Sequence, residues 1–167
     1  MHLVPEVLAS LGRPVRWVHL GDGPERRRVE AAAEALDGNV TWTLVGQLPN
    51  RRVLDFYKRN HVDALLSLSL SEGVPVSMME AQSYGIPVVG CGVGGVPEII
   101  DDRTGILLDV GASAAEMAEG LAGALEPGRF DRGAVRRFFQ GRFEARSNYN
   151  AFAETLIALH GRRASAV

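Results

Sequence analysis

Two glutamates with seven residues between them, Glu72 and Glu80, are the side chains of this sequence best suited to chemistry. They flank the start of a predicted helix that follows a short apolar run, residues 64–68. In an open parallel sheet, ligands bind beyond the carboxyl ends of the strands. A helix that starts there offers free backbone N–H groups to an anion such as a diphosphate. A carboxylate cannot bind phosphate, but it accepts hydrogen bonds from sugar or ribose hydroxyls.

A purely structural role for Glu80 is the alternative. Ser77 and Glu80 are three residues apart, which is the pattern of a capping box, in which the two side chains tie off the first turn of a helix. The spacing alone leaves both roles open.

Glycine-rich turns elsewhere fail the tests for two common nucleotide-binding motifs. A Gly-x-Gly-x-x-Gly motif starting at residue 21 or 92 would need a glycine where the sequence has Arg26 or Pro97. A P-loop needs Gly-Lys-Ser/Thr, but the single lysine, Lys58, follows Tyr57. We therefore interpret Gly21–Pro24 as a turn between a strand and a helix.

The remaining reactive side chains do not predict a metal or nucleophile site. Cys91 is the single cysteine, which excludes an intrachain disulfide and a cysteine-based zinc site. No histidine is near Cys91 in sequence, so it is interpreted as a small buried residue. The four histidines, His2, His19, His61 and His160, are far apart in sequence. Glu98 is interpreted as a favourable charge at a helix N-terminus.

Alternating apolar runs and helical patterns predict the elements that position these residues. Strands are expected at 16–20, 40–45, 64–68, 86–89 and 106–108, and helices at 3–11, 25–36, 51–59, 77–84, 114–125, 132–143 and 148–160. This order predicts an α/β fold, a Rossmann-like parallel sheet with helices on both faces. The pattern opens on a helix, so we expect a first strand to be missing from a single domain, residues 1–160, followed by a tail at 161–167.

The amino-acid composition and net charge indicate which classes of protein this chain can belong to. The chain has 167 residues, 46% of them hydrophobic and 23% charged, which is typical of one folded domain. The net charge of −2 does not favour a nucleic-acid partner. No run of about 18 apolar residues indicates a membrane span, and the first residues lack the basic region of a signal peptide. A cytoplasmic location is expected.

Several ordered motifs together resemble one family. They are Val18–Glu25, Val45–Asn50, Ser71–Pro75, Glu80-Ala81, Gly85–Val89, Gly94–Ile100 and Gly105–Leu107. This series, over roughly residues 3–160, resembles the donor-binding domain of the group 1 (family 4) glycosyltransferases. These are retaining enzymes of the GT-B fold that use nucleotide sugars, and two glutamates separated by seven residues are their hallmark. The resemblance therefore favours a ligand role for Glu80 and implies the C-terminal half of a GT-B fold.

The resemblance also implies a role for each site residue. Glu80 would bind the ribose hydroxyls, and Glu72, the implied catalytic residue, would contact the donor sugar. Backbone N–H groups of Gly73, Val74 and Val76 would face the hexose, and those of Ser77 and Met78 the diphosphate. The backbone of Val45, Gly46, Gln47 and Leu48 would line the base pocket. No metal or cofactor is implied; the donor substrate would be a UDP- or GDP-linked sugar.

The sequence departs from the family pattern at its start. The family carries an arginine and a lysine for the diphosphate ahead of the first helix, and an N-terminal acceptor-binding domain; this sequence shows neither. The implied function is therefore the donor-binding half of a retaining hexosyltransferase acting on a glycan or lipid-linked acceptor in bacterial polysaccharide synthesis. The chain alone is expected to transfer no sugar and to bind nucleotide near the millimolar range.

Expected partners are the nucleotide sugar, the missing N-terminal domain, a second copy of the fragment, and a membrane surface only in the longer parent. Two other functions stay open at this point. One is a nucleotide-sugar epimerase of the GT-B fold, although no histidine near Glu72 in sequence could serve it. The other is a non-catalytic α/β binding module, which would gain no stability from nucleotide.

Overall fold

The computed structural model describes residues 3–164, which form eight helices and five strands; helices and strands alternate up to the sixth helix, and two more helices follow it. The strands are β1 (Val15–Leu20), β2 (Val40–Gly46), β3 (Leu65–Ser67), β4 (Val88–Cys91) and β5 (Gly105–Leu108). The helices are α1 (Leu3–Ser10), α2 (Arg26–Glu34), α3 (Asn50–Arg59), α4 (Val76–Ser83), α5 (Val96–Ile99), α6 (Ala114–Ala124), α7 (Arg132–Arg142) and α8 (Ala145–Ala164). Every predicted element is present. Helix α5 was not predicted, because four residues are too few to show a helical period.

All strand pairs are parallel, as predicted, but they form two hydrogen-bonded groups and not one. Strand β1 pairs with β2 in one group, and the other has the order β3-β4-β5. Within residues 3–164, β1 and β3 each have one edge without a strand partner. A doubly wound sheet has the strand order 3-2-1-4-5-6. The order β2-β1 and then β3-β4-β5 matches it, with the central position filled by no described residue.

Helices cover both faces of the β3-β4-β5 sheet. Successive side chains of a strand point to opposite faces, and in β4 the two faces belong to different apolar clusters. Val89 packs in a cluster built with α1 and α6, whereas Val88 packs with Met78 of α4 and Ile99 of α5. Val88 and Val89 are both fully buried. The α/β prediction with helices on both faces is therefore confirmed.

Helix α1 ties the two sheets into one core. Val7 and Leu8 on its buried side share a cluster with Trp17 of β1 and Val89 of β4. Apolar side chains from both sheets thus share one cluster with this helix, although no backbone hydrogen bond joins β1 to β3.

Helix α8 lies on the outside of the domain. Tyr149, Phe152 and Leu156 on this helix are all at least half exposed. Its backbone stays helical to Ala164, beyond the expected boundary at residue 160. Of the predicted tail, residues 165–167 lie outside the described range. No helix within residues 3–164 is long and apolar enough to cross a membrane.

Candidate functional site

The turn after β1 is joined to the end of β2 at the carboxyl edge of the first sheet. The Gly21 N–H donates to the Gly46 carbonyl at 2.9 Å, and Gly46 has a φ of +84°. This left-handed conformation favours glycine. Gly21–Pro24 connects β1 to α2, so its interpretation as a strand-to-helix turn is confirmed. The carboxyl ends of β1 and β2 are thereby locked together where the base pocket is predicted.

An ion pair lies beside this junction. Arg26 Nη1 and Asp22 Oδ2 are 3.1 Å apart, and a Cβ added at Gly46 would lie 3.2 Å from Arg26 Nη1. A side chain at residue 46 would therefore push against the guanidinium. Nearby His19 is half-buried; burial and the charge of Arg26 lower the pKa of its imidazole, against the opposing effect of Asp22. The neutral form of His19 is therefore favoured near neutral pH.

Helix α4 begins without a side-chain cap. Its N-cap residue is Pro75, and Ser77 lies in the second position of the helix. A capping box needs the serine at the N-cap, so the alternative interpretation of Ser77 and Glu80 as a box is wrong. The Met78 N–H donates to the Pro75 carbonyl at 3.2 Å. Of the two predicted diphosphate donors, Ser77 is the one whose N–H has no backbone acceptor among the described residues.

Glu80 instead reaches across to a neighbouring helix. Its Oε1 accepts a hydrogen bond of 2.6 Å from the Asn50 side-chain amide, at the first residue of α3. Asn50 directly follows the loop 47–49 that leaves β2. The predicted ribose ligand and the predicted base loop are therefore adjacent in space, although they are far apart in sequence.

Glu80 also contributes charge to the buried face of α3. The pKa of Tyr57 on this helix is raised, first by its burial and then by the negative charge of Glu80. Asn50 was not among the predicted site residues, because no local pattern links it to a carboxylate thirty residues away.

The loop that carries Glu72 is held by a pair of glycines before α5. The Gly95 N–H donates to the Gly73 carbonyl at 2.7 Å. Gly94 has a φ of +52°, and a Cβ there would overlap the Glu72 carbonyl oxygen. The sequence marked these glycines only as part of a motif; the structure shows that their lack of side chains permits the close approach of the Glu72 loop.

Among the other predicted site residues, some side chains are exposed and one is buried. The side chains of Val45, Val74 and Val76 are 42%, 46% and 60% exposed, beside the predicted pocket. Met78 is buried at 1% exposure and packs on β4, so it anchors α4 through its side chain. The structure thus brings the Gly46 loop and Glu80 together, and it fixes the Glu72–Gly73 backbone against Gly94 and Gly95.

Cys91 and Glu98, the two residues interpreted as structural, lie in different surroundings. Cys91 is buried, and burial raises the pKa of its thiol, which disfavours the reactive thiolate. Glu98 is exposed in the first turn of α5. Within the part of the chain that the structure describes, no group of three metal-binding side chains is present; His2 lies outside that part.

Comparison with known proteins identifies the family. A family model described as glycosyl transferases group 1 matches residues 1–137. A 2-deoxystreptamine glucosyltransferase of Streptomyces kanamyceticus is 32% identical over 119 residues, which cover 71% of this chain and 30% of that protein. A phosphatidylinositol N-acetylglucosaminyltransferase subunit of Arabidopsis thaliana is 33% identical over 109 residues, which cover 65% of this chain and 24% of that protein. The chain therefore spans about a quarter to a third of the length of these relatives.

Solved structures share the fold. A lipopolysaccharide outer core galactosyltransferase in its apo form superposes with a TM-score of 0.75 at 22% identity, covering 93% of this chain and 44% of that one. The Anabaena protein HepE in complex with UDP-glucose gives a TM-score of 0.73 at 20% identity, and the match covers 95% of this chain and 45% of that one. The structural neighbours are glycosyltransferases of the GT-B fold. With the family model matching most of its residues, the chain belongs to the group 1 glycosyl transferases.

Proposed function

We propose that this chain is the nucleotide-sugar-binding half of a retaining glycosyltransferase that moves a hexose to a glycan or lipid-linked acceptor. Membership of the glycosyl transferases group 1 family supports the transfer reaction. Its relatives include a 2-deoxystreptamine glucosyltransferase and proteins named for colanic acid biosynthesis, which supports bacterial polysaccharide or glycoconjugate synthesis. Structural neighbours solved with UDP and UDP-glucose support a uridine-linked donor.

One observation carries the proposal. Glu80 does not cap its own helix, and its carboxylate is held by Asn50 at the first residue of α3, four residues after Gly46. A base on the 45–48 backbone would therefore place its ribose next to Glu80. The diphosphate would extend from the ribose toward the N-terminus of α4, where the helix dipole favours negative charge.

The same arrangement supports a chemical role for this part of the chain. Departure of the diphosphate requires stabilisation of its developing charge by fixed dipoles. The Ser77 N–H and the α4 dipole supply part of that stabilisation, and Glu72, on the loop fixed by Gly94 and Gly95, would contact the sugar hydroxyls.

The strand order supports a longer parent protein, because among the described residues β1 and β3 each have one edge without a strand partner. We propose that a parallel strand preceding α1 fills this central position and that an acceptor-binding domain lies on the same polypeptide. Without that strand, two open strand edges favour self-association.

Replacement of Glu80 by alanine tests the donor site. We expect Glu80→Ala to weaken UDP or GDP binding by roughly 10- to 100-fold, because a hydrogen bond to a charged group contributes about 1.5–3 kcal/mol. The unfolding free energy should change by less than about 1 kcal/mol, since the contact with Asn50 is exposed. Glu119→Ala, an exposed glutamate on α6, is the matched control.

The measurement is a calorimetric or NMR titration of each variant with UDP and GDP, together with urea unfolding. Unchanged nucleotide affinity combined with reduced stability in Glu80→Ala would contradict the proposal, since Glu80 would then act only in the fold.

A further inference from the structure

We propose that Asn50 is a positioning residue that orients the Glu80 carboxylate toward the nucleotide ribose and so makes the domain prefer ribonucleotides to 2′-deoxyribonucleotides. This inference rests on the proposed function. Asn50 lies at the end of the Val45–Asn50 motif, but the sequence pattern assigns it no role in the site.

The hydrogen bond between the two side chains is directional. An ionised carboxylate only accepts hydrogen bonds, so the Asn50 group facing it at 2.6 Å is the amide N–H. The short distance is typical of a bond to a charged acceptor. Oε1 is the oxygen engaged, which fixes the rotation of the carboxylate and leaves Oε2 for a further donor. A glutamate side chain has three rotatable bonds, and restricting them lowers the entropy cost of binding a ligand.

Apolar packing, and not this hydrogen bond, sets the distance between α3 and α4. Tyr57 packs with Ala81 and Ile86 in one cluster, and the rings of Tyr57 and Tyr84 are 5.9 Å apart. Asn50 precedes Tyr57 by seven residues, which places both on the same face of α3 about two turns apart. Glu80 precedes Tyr84 by one turn of α4. The aromatic contact therefore holds the two helices together beside the polar pair, which joins the first residue of α3 to the middle of α4.

The Asn50 side chain does not cap its own helix. The N-cap of α3 is Pro49, and no side chain caps this helix. The amide of Asn50 is instead bonded to Glu80. Its backbone continues directly from the loop 47–49, so the residue links the predicted base loop to the predicted ribose ligand.

The experiment compares two ligands that differ by one hydroxyl. Wild type, Asn50→Ala and Asn50→Asp are titrated by NMR with UDP and 2′-deoxy-UDP, or with GDP and 2′-deoxy-GDP where the wild type binds GDP more tightly. We expect the wild type to prefer the ribonucleotide by about tenfold, the effect of one hydrogen bond to a charged group. Asn50→Ala should bring this ratio close to one, mainly by weakening the ribonucleotide.

Asn50→Asp keeps the shape of the side chain but places a second carboxylate against Glu80. It should reduce the preference for ribose at least as much as alanine does at neutral pH. The double variant Asn50→Ala/Glu80→Ala should match Glu80→Ala alone, since the two residues act as one unit. Asn39→Ala is the matched control, because Asn39 also donates to a carboxylate, Asp37 Oδ2 at 3.3 Å, but away from the site.

The outcomes separate the inference from the function beneath it. An unchanged ratio in Asn50→Ala, or an equal loss for both nucleotides, overturns the positioning role and leaves donor binding standing. A wild type that binds nucleotide without preferring ribose also overturns the positioning role and leaves donor binding standing. A wild type that binds none of the four nucleotides overturns both the inference and the proposed function.

Discussion

Replacement of Gly94 by alanine should damage the fold and the site together. Gly94 has a φ of +52°, and an alanine in this left-handed region costs about 1–2 kcal/mol. Its Cβ would also overlap the Glu72 carbonyl oxygen, so the loop must move away. That movement breaks the hydrogen bond from the Gly95 N–H to the Gly73 carbonyl, which contributes about 0.5–1.5 kcal/mol. We expect a total loss of about 2–3 kcal/mol in unfolding free energy.

Gly128→Ala is the matched control for this substitution. Gly128 has a φ of +76°, but no described heavy atom lies within 4 Å of a Cβ added there. The control should therefore show only the conformational cost of about 1–2 kcal/mol. Urea unfolding of both variants and a UDP titration give the comparison, and only Gly94→Ala should lose nucleotide affinity. Equal destabilisation of the two variants with unchanged UDP affinity would refute the role of Gly94 in holding the Glu72 loop.

Two further predictions concern the helix caps and the pH dependence of stability. Ser113→Ala should lower the unfolding free energy by about 1 kcal/mol, because Ser113 and Glu116 form the capping box of α6. Ser77→Ala should change it by less than about 0.5 kcal/mol, because Ser77 caps no helix. Urea unfolding of the two variants measures the difference, and equal losses would contradict it. Burial alone would raise the pKa of Asp101, but hydrogen bonds and charge from Arg103 outweigh it and lower that pKa. The stability that Asp101 contributes should therefore be complete above its ordinary pKa of about 3.9 and disappear as pH falls through the lowered value. Thermal unfolding of wild type and Asp101→Asn from about pH 6 to about pH 2 measures this, and a difference that persists undiminished at the acid end would contradict it.

Local patterns predicted the helices and strands well, but the Ser-x-x-Glu pattern did not predict which helix has a capping box. Ser77 and Ser113 are each followed three residues later by a glutamate, yet only Ser113 forms a capping box. The difference comes from where each helix starts: Ser113 lies at the N-cap, while Pro75 takes that position in α4 and moves Ser77 inside the helix. Boundaries at this precision depend on backbone angles that residue types alone do not determine.

Contacts between distant segments could not be predicted from spacing. The bond from Asn50 to Glu80 and the packing of Gly94 against Glu72 depend on the order in which strands lie in the sheet. The division into two hydrogen-bonded sheets belongs to the same class, since strand patterns show which segments are extended but not which ones pair. The two glutamates lie on one segment, so their spacing is visible in the sequence, but the roles predicted for them rest on the resemblance to the family and not on that spacing alone.

Binding of a nucleoside diphosphate to this chain tests the central claim most directly. A titration of the isotope-labelled protein with UDP and with GDP, followed by backbone amide NMR signals, reports both affinity and location. We expect saturable binding of at least one of them with a Kd near 1 mM, about −4 kcal/mol. The shifts should be concentrated at residues 45–48, at residues 72–78 and at Asn50. Absence of binding, shifts confined to the opposite edge near His61 and Arg132, or submicromolar affinity would contradict it.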